Sequence, residues 1–254
     1  MYFSNQIVSV TALLALTSFF GPGQSVAQNS TNPFMIAEGW AKLPGGRAMG
    51  AVGKAKVDLD GRHIWAVIRC DAGQDMFGRE CVDSDLDPIL KFDPDGNVVE
   101  SFGSGLFIWP HGIDVDSEGN VWVTDAVSDS NIPAGDDRGH HVIKFSPTGD
   151  VLMTLGTPGE QGDGPNHFTS PSDVAVASNG DVFIADGHNA NGNNRVVKYD
   201  SRGEFLMSWG ETGYAPGEFR ALHAIAIDPD GRVFVGDRSN SRIQIFDQEG
   251  NHSA

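Results

Sequence analysis

Two histidines occupy one position of a phrase written three times along the chain, and that placement points most directly to chemistry. The phrase runs from Pro110-His111-Gly112-Ile113 to Asp125, from Pro171-Ser172-Asp173-Val174 to Asp186, and from Leu222-His223-Ala224-Ile225 to Asp237. His111, Ser172 and His223 are therefore equivalent, and stacked copies of one unit bring equivalent side chains together. Two gathered imidazoles can bind zinc, although a stable zinc site takes a third protein ligand. The competing reading has each histidine closing its strand with a hydrogen bond to a neighbouring carbonyl. Asp125, Asp186 and Asp237 recur in all three copies, so they read as a turn or inter-repeat hydrogen bond common to the unit. His140 and His141 are adjacent on a strand and point to opposite faces, which makes them poor co-ligands.

The elements that must hold these residues are short strands. Each phrase is an alternating run, a Gly-containing turn and a β-branched or aromatic run, as in Val121-Trp122-Val123-Thr124, which is hairpin chemistry of period two. A third strand follows at Ile89, Val142, Val196 and Ile243, with starts about fifty residues apart, then a further Gly turn and a fourth strand. Four antiparallel strands per unit define the blade of a β-propeller. Long 3.6-residue periodicity is missing from the sequence after the N-terminal segment, which excludes helical solenoids. Blade one is expected from about Ala37 to Gly103, with its inner hairpin at Val57 to Val67. Blade four begins near Ala221 and stops at Asn251, where its fourth strand should start, and His252 to Ala254 match no repeat element. The expected protein is all-β, with four blades of a longer propeller that has been shortened.

Composition narrows the partners. With 17 Lys and Arg against 34 Asp and Glu, the 254-residue chain carries a net charge of −17, which excludes phosphate-backbone binding as its purpose and hence a nucleic-acid partner. Residues 1–27 read as a signal peptide, leaving 28–254 as the propeller. Ile7 to Phe20 is apolar but too short for a comfortable membrane span, and Ser25-Val26-Ala27 offers a cleavage site before Gln28. Met1 to Gln6 lacks the usual Lys or Arg, so an uncleaved anchor is the alternative. A secreted or periplasmic location would let Cys70 and Cys81 pair, the other reading being two free thiols. With no CxxC, a cysteine zinc site has no support.

Several stretches together resemble the peptidyl-α-hydroxyglycine α-amidating lyase family. They are Leu106-Phe107-Ile108-Trp109-Pro110-His111-Gly112 with Asp116 to Asp125, Asn166-His167-Phe168-Thr169-Ser170-Pro171-Ser172-Asp173, and Gly217-Glu218-Phe219 leading to His223. The resemblance implies an NHL-type propeller of six blades, and a reaction that splits a peptidyl-α-hydroxyglycine into a peptide amide and glyoxylate at a channel zinc held by three histidines. It makes His111 and His223 two of the three metal ligands and leaves the third in a later blade. It makes Arg69 and Arg238 active-site arginines, and arginine suits a planar carboxylate. The family's catalytic tyrosine follows an Asp-Gly pair, and here Asp186-Gly187 is followed by His188, which could serve as the base unless the inserted loop Asn189 to Asn194 draws it away. Both arginines also have an alternative as inter-blade salt-bridge partners. A structural Ca2+ near the Ile113 carbonyl is implied too, with its acidic ligand elsewhere. The expected function is a zinc-dependent carbon–nitrogen lyase acting on a peptide or small amide. The alternative is a secreted NHL propeller that binds a partner without catalysis, and a calcium-dependent lactonase-type hydrolase is a third reading.

Overall fold

The computed structural model describes residues 37–70, 77–189 and 191–253. The expected signal peptide and its Ile7 to Phe20 segment lie outside the described residues. Gly39–Ala254 forms one compact unit. Three four-stranded antiparallel sheets follow one another, each strand pairing with the next in sequence. Blade one is β1 (Val52–Val57), β2 (Ile64–Ile68), β3 (Ile89–Phe92) and β4 (Val98–Phe102). Blade two is β5 (Pro110–Val115), β6 (Val121–Asp125), β7 (Val142–Phe145) and β8 (Val151–Leu155). Blade three is β9 (Pro171–Val176), β10 (Val182–Asp186), β11 (Arg195–Tyr199) and β12 (Phe205–Trp209). A two-residue parallel pair, β13 (Glu211–Thr212) and β14 (Glu218–Phe219), leads into blade four, made of β15 (Leu222–Ile227), β16 (Val233–Asp237) and β17 (Arg242–Phe246). Among the described residues helix is confined to three single 3-10 turns. The chain is an all-β, four-blade propeller arrangement, and no helix among its described residues is long and apolar enough to cross a membrane.

The core lies between sheets, because each blade buries one face on the next. Trp65, Ile89 and Phe102 of blade one meet Ile113, Val121, Ile143 and Phe145 of blade two. Trp122 and Val142 then meet Val174, Ile184 and Val197, and Phe183 and Val196 meet Ile225, Val235 and Phe246. Ile89, Val142 and Val196 are fully buried, whereas Ile243 at the same place in blade four is 66% exposed. The burial of that position is thus supplied by the following blade and not by the sheet itself.

Two sequence expectations need correction. The inner hairpin of blade one, expected at Val57 to Val67, begins earlier: its first strand is Val52–Val57, and Asp58 to Asp60 lie in its turn. The cause is local: Asp58 accepts from the Leu59 N–H at 2.7 Å and Asp60 from the N–H groups of Arg62 and His63 at 2.8 and 2.9 Å, while Leu59 points outward. Aspartates that bond their own backbone in this way favour turns over ladders. The tail of blade four, expected to match nothing, does begin a fourth strand. His252 bridges Phe246 at the register of Val98 with Phe92, Val151 with Phe145 and Phe205 with Tyr199.

The recurring aspartates act as clasps. Asp125, Asp186 and Asp237 are fully buried at the ends of β6, β10 and β16. Asp125 accepts from the N–H groups of Ile108 and Trp109 at 2.7 and 3.0 Å, Asp186 from Thr169 at 2.6 Å, and Asp237 from Arg220 at 2.7 Å. Each bond fixes the backbone two or three residues before the channel position held by His111, Ser172 or His223. Asp125→Ala would strand three buried donors, the N–H groups of Ile108, Trp109 and Val127, so it should lower unfolding free energy by about 3 kcal/mol or more, at roughly 1–3 per unsatisfied group. Urea unfolding checks this, and a change below about 1 kcal/mol would mean the clasp is dispensable.

Candidate functional site

His111 and His223 sit second in the inner strands β5 and β15, and they meet. Their ring centroids are 4.9 Å apart. Close backbone approach makes this meeting possible: a Cβ on Gly112 would stand 2.6 Å from the Asp173 Cα, and one on Gly53 would stand 2.4 Å from the His111 carbonyl oxygen. Only glycine lets the inner strands come together so tightly around the histidine. Ser172, which breaks the histidine pattern, has its own part in the site. Its carbonyl lies 2.8 Å from His111 Nδ1, so a neutral His111 donates from Nδ1 and turns its Nε2 lone pair free.

His188 completes a group of three. It follows Gly187 just past β10, its N–H donates to the Ser170 carbonyl at 2.9 Å, and its ring lies 4.8 Å from His111 and 5.1 Å from His223. One nitrogen of each of the three rings falls within 4.8 Å of the other two. The inserted loop, which in the alternative reading would draw this side chain away, is anchored at Asn189, Asn193 and Asn194. Asn189 donates to Ser128 Oγ at 2.7 Å, Asn193 donates to Asp186 at 2.7 Å, and Asn194 accepts from the Ala221 N–H at 2.7 Å.

The two arginines share a blade position, the first residue after the second strand, and they differ in occupation. Arg238 donates to the His188 carbonyl at 2.7 Å and lies 3.4 Å from His188 Nε2. The Arg69 guanidinium carbon sits over the Trp109 ring, 4.2 Å from its centroid, with Phe77 at 5.6 Å and Glu80 at 4.0 Å. Its Nε is buried without a partner. Cys70 and Cys81 are joined by a disulfide, which links the residue after Arg69 to the residue after Glu80. The loop that carries Arg69's counter-charge is thereby tethered beside it. Trp109 connects these parts, with its ring centroid 5.2 Å from His111 and 4.9 Å from His188.

Burial and crowding by positive groups set the protonation of the cluster. Desolvation first, then the neighbouring His223, holds His111 down to about 3. Desolvation, then His111 and Arg238, holds His188 at about 3, and the same burial with Arg238 and Arg69 lowers His223. Burial also lowers the Arg69 guanidinium against the opposing pull of Glu80. Neutral imidazoles offer lone pairs to a metal, so the donor chemistry fits zinc, for which histidine nitrogen is a usual ligand.

Other candidates lie elsewhere. His140 Nε2 is 3.1 Å from Asp129 and its Nδ1 accepts from the Ser170 N–H, while His141 stacks on Phe107 and faces the Gly139 carbonyl. Neither joins the three-histidine group. Asp58, Asp60 and His63 also stand close together, but in the exposed hairpin turn of blade one. Sequence reasoning missed Trp109 and Glu80. Trp109 was legible by period two, since it lies two residues before His111, whereas Glu80 is placed by the tertiary fold.

The chain is an NHL-repeat β-propeller. The pattern of the NHL repeat matches residues 107–131, 168–199 and 219–246. Among curated proteins it is 35% identical over 195 residues to mouse peptidyl-glycine alpha-amidating monooxygenase, covering 73% of this chain and 18% of that protein. It is 36% identical over 171 residues to Drosophila melanogaster peptidyl-alpha-hydroxyglycine alpha-amidating lyase 1, covering 62% and 29%, and 38% identical over 168 residues to human NHL repeat-containing protein 3, covering 63% and 45%. The chain thus spans less than half the length of each of these relatives. Among solved structures, Staphylococcus aureus virginiamycin B lyase superposes with a TM-score of 0.52 at 14% identity, over 80% of this chain and 54% of that one. The nidogen/laminin complex gives 0.55 at 14%, over 84% and 69%. These two likenesses speak to the fold.

Acid should weaken the metal-free protein. The unfolded chain takes up protons on histidine near pH 6.5. Folded His111 and His188 resist until about pH 3. Between those values the unfolded state binds more protons, so stability rises with pH and is lost on acidification. Denaturation midpoints from pH 7.5 to 4 should show this decline, and His111→Gln or His188→Gln should flatten it. A slope unchanged in both variants would contradict the placement of these rings.

Proposed function

We propose that this chain carries the active site of a zinc-dependent lyase that cleaves peptidyl-α-hydroxyglycine to a peptide amide and glyoxylate. The observation that carries the reading is His111 against His223, flanked by Arg69 and Arg238 at one blade position. Relatives named for this amidating chemistry support it. When bound, zinc supplies Lewis-acid polarisation and lowers the pKa of a hydroxyl. His111 and His223 would hold the ion. Arg69, with a buried Nε lacking a partner and a Trp109 platform, would receive the terminal carboxylate of the substrate in a bidentate pair. Arg238 would orient His188 through its carbonyl and contribute a second positive charge. In the net reaction the hydroxyl proton leaves, the carbonyl of glyoxylate forms, the carbon–nitrogen bond breaks and the nitrogen is protonated as the amide. His188 stands beside the same point, where it could be either the proton acceptor or a further ligand.

A structural calcium ion belongs to the same reading, but the described residues do not assemble a site around Ile113. The adjacent carboxylate, Asp114, is already taken by Lys56 at 2.6 Å and by the N–H groups of Val115 and Val176, both at 2.9 Å. Export through residues 1–27 is part of the proposal, and the disulfide fits an oxidising compartment.

The test is glyoxylate release from a synthetic peptidyl-α-hydroxyglycine by the zinc-loaded full-length protein. Release is expected, with kcat/KM about 100-fold lower for Arg69→Ala, because a charged hydrogen-bond pair worth roughly 1.5–3 kcal/mol is lost. Peptide binding without any release would favour the non-enzymatic propeller, the reading kept open by the human relative named for its repeats alone.

A further inference from the structure

We propose that His188 is the third protein ligand of a divalent-cation site shared with His111 and His223, and not the proton acceptor of the reaction. The inference rests on the zinc reading of the site and departs from it at one residue, since the resemblance places the third histidine in a later blade and a tyrosine where His188 stands.

Three independent observations carry it. The first is distance: the rings are mutually 4.8, 4.9 and 5.1 Å apart, with one nitrogen of each within 4.8 Å of the others. Nitrogens bound at 2.0–2.1 Å around a tetrahedral ion are roughly 3.4 Å apart, so side-chain shifts on the order of 1 Å close the set. The second is an unmet need. His188 is 7% exposed, and its Nδ1 is buried without a hydrogen bond of good geometry, the adjacent Asn189 side chain being its nearest polar neighbour. A buried polar atom without a partner is costly in any fold, and a metal bond would remove that cost. The third is support. The ring is carried between the Arg238 bond to its carbonyl and the Ser170 bond to its N–H, and the neighbouring Asn189 is tied to Ser128 of blade two. Ligands from three successive blades are thus fixed by three different sheets. The tautomer of His111 is set by Ser172 in the manner of an oriented ligand. Such a set leaves a fourth position open, as catalytic zinc sites do. A ring whose lone pair is committed to an ion cannot also take a proton there.

The test titrates full-length protein with Zn2+ against a chromophoric chelator, and records the Co2+ ligand-field spectrum and the X-ray absorption fine structure of the zinc form. The parent should show three imidazoles and intense visible cobalt bands. His188→Ala and His188→Gln should each weaken zinc by at least about 100-fold, as His111→Ala should, and lose one imidazole from the absorption fit. Far-UV circular dichroism establishes that each variant is folded. Zinc affinity within about threefold of the parent in either folded variant, or only two imidazoles in the parent, overturns the proposal. A parent count of two decides against the proposal even where a variant fails to fold. Three imidazoles on zinc without glyoxylate release would sink the lyase reading and leave this one standing, whereas release from a two-imidazole site would do the reverse.

Discussion

The histidine end of the inner strands depends on one buried carboxylate in each of blades two, three and four. Asp125, Asp186 and Asp237 close the second strand and seize the backbone just before the first, so that strand starts at a fixed height. A fully buried aspartate is expensive unless its oxygens are occupied, and these are. Asp186 and Asp237 also hold Arg195 and Arg242 at 3.0 and 2.8 Å, while Asp125 adds the Val127 N–H at 3.2 Å. Blade one has Ile68 at that place and Gly53 where the other blades carry His or Ser. The blade without the clasp is also the one without a channel side chain at the histidine position.

A second set of carboxylates ties the inner strands to each other. Asp114 of blade two accepts from the Val176 N–H of blade three, and Asp173 of blade three accepts from the Ile225 N–H of blade four, both at 2.9 Å. Lys54 and Lys56 of blade one reach across to Asp173 and Asp114 at 2.7 and 2.6 Å. Removing one partner of such a pair leaves a buried charge alone, so these contacts specify the arrangement of strands more than they add stability. The histidine end is positive or neutral, with two guanidiniums, and this end is cross-linked by opposite charges. That division leaves two guanidiniums beside the histidines in a chain whose net charge is −17.

Much of this was legible in the residues. Period-two runs and Gly turns gave the blades, and the shared repeat position brought His111 and His223 together because propeller symmetry converts sequence equivalence into proximity. The recurrence of aspartate foretold a structural bond. What escaped was whatever repeat logic does not govern. In blade one, Asp58 and Asp60 cap the turn, and the first strand lies before Val57, where the hairpin was expected to start. His188 was legible as a candidate base, but it borders an insertion where no register predicts direction, and its loop is anchored through Asn189, Asn193 and Asn194. Glu80 reaches Arg69 through a loop joined by the disulfide, a contact without sequence periodicity.

The central claim is that clasped inner strands gather three imidazoles from blades two, three and four at one point before any ligand arrives. A crystal structure of the metal-free protein tests it most directly. The account predicts the His111, His188 and His223 ring centroids at about 5 Å from one another, with the Ile108 and Trp109 N–H groups on Asp125. His188 turned to solvent, or His111 and His223 at different heights along the channel, would contradict it.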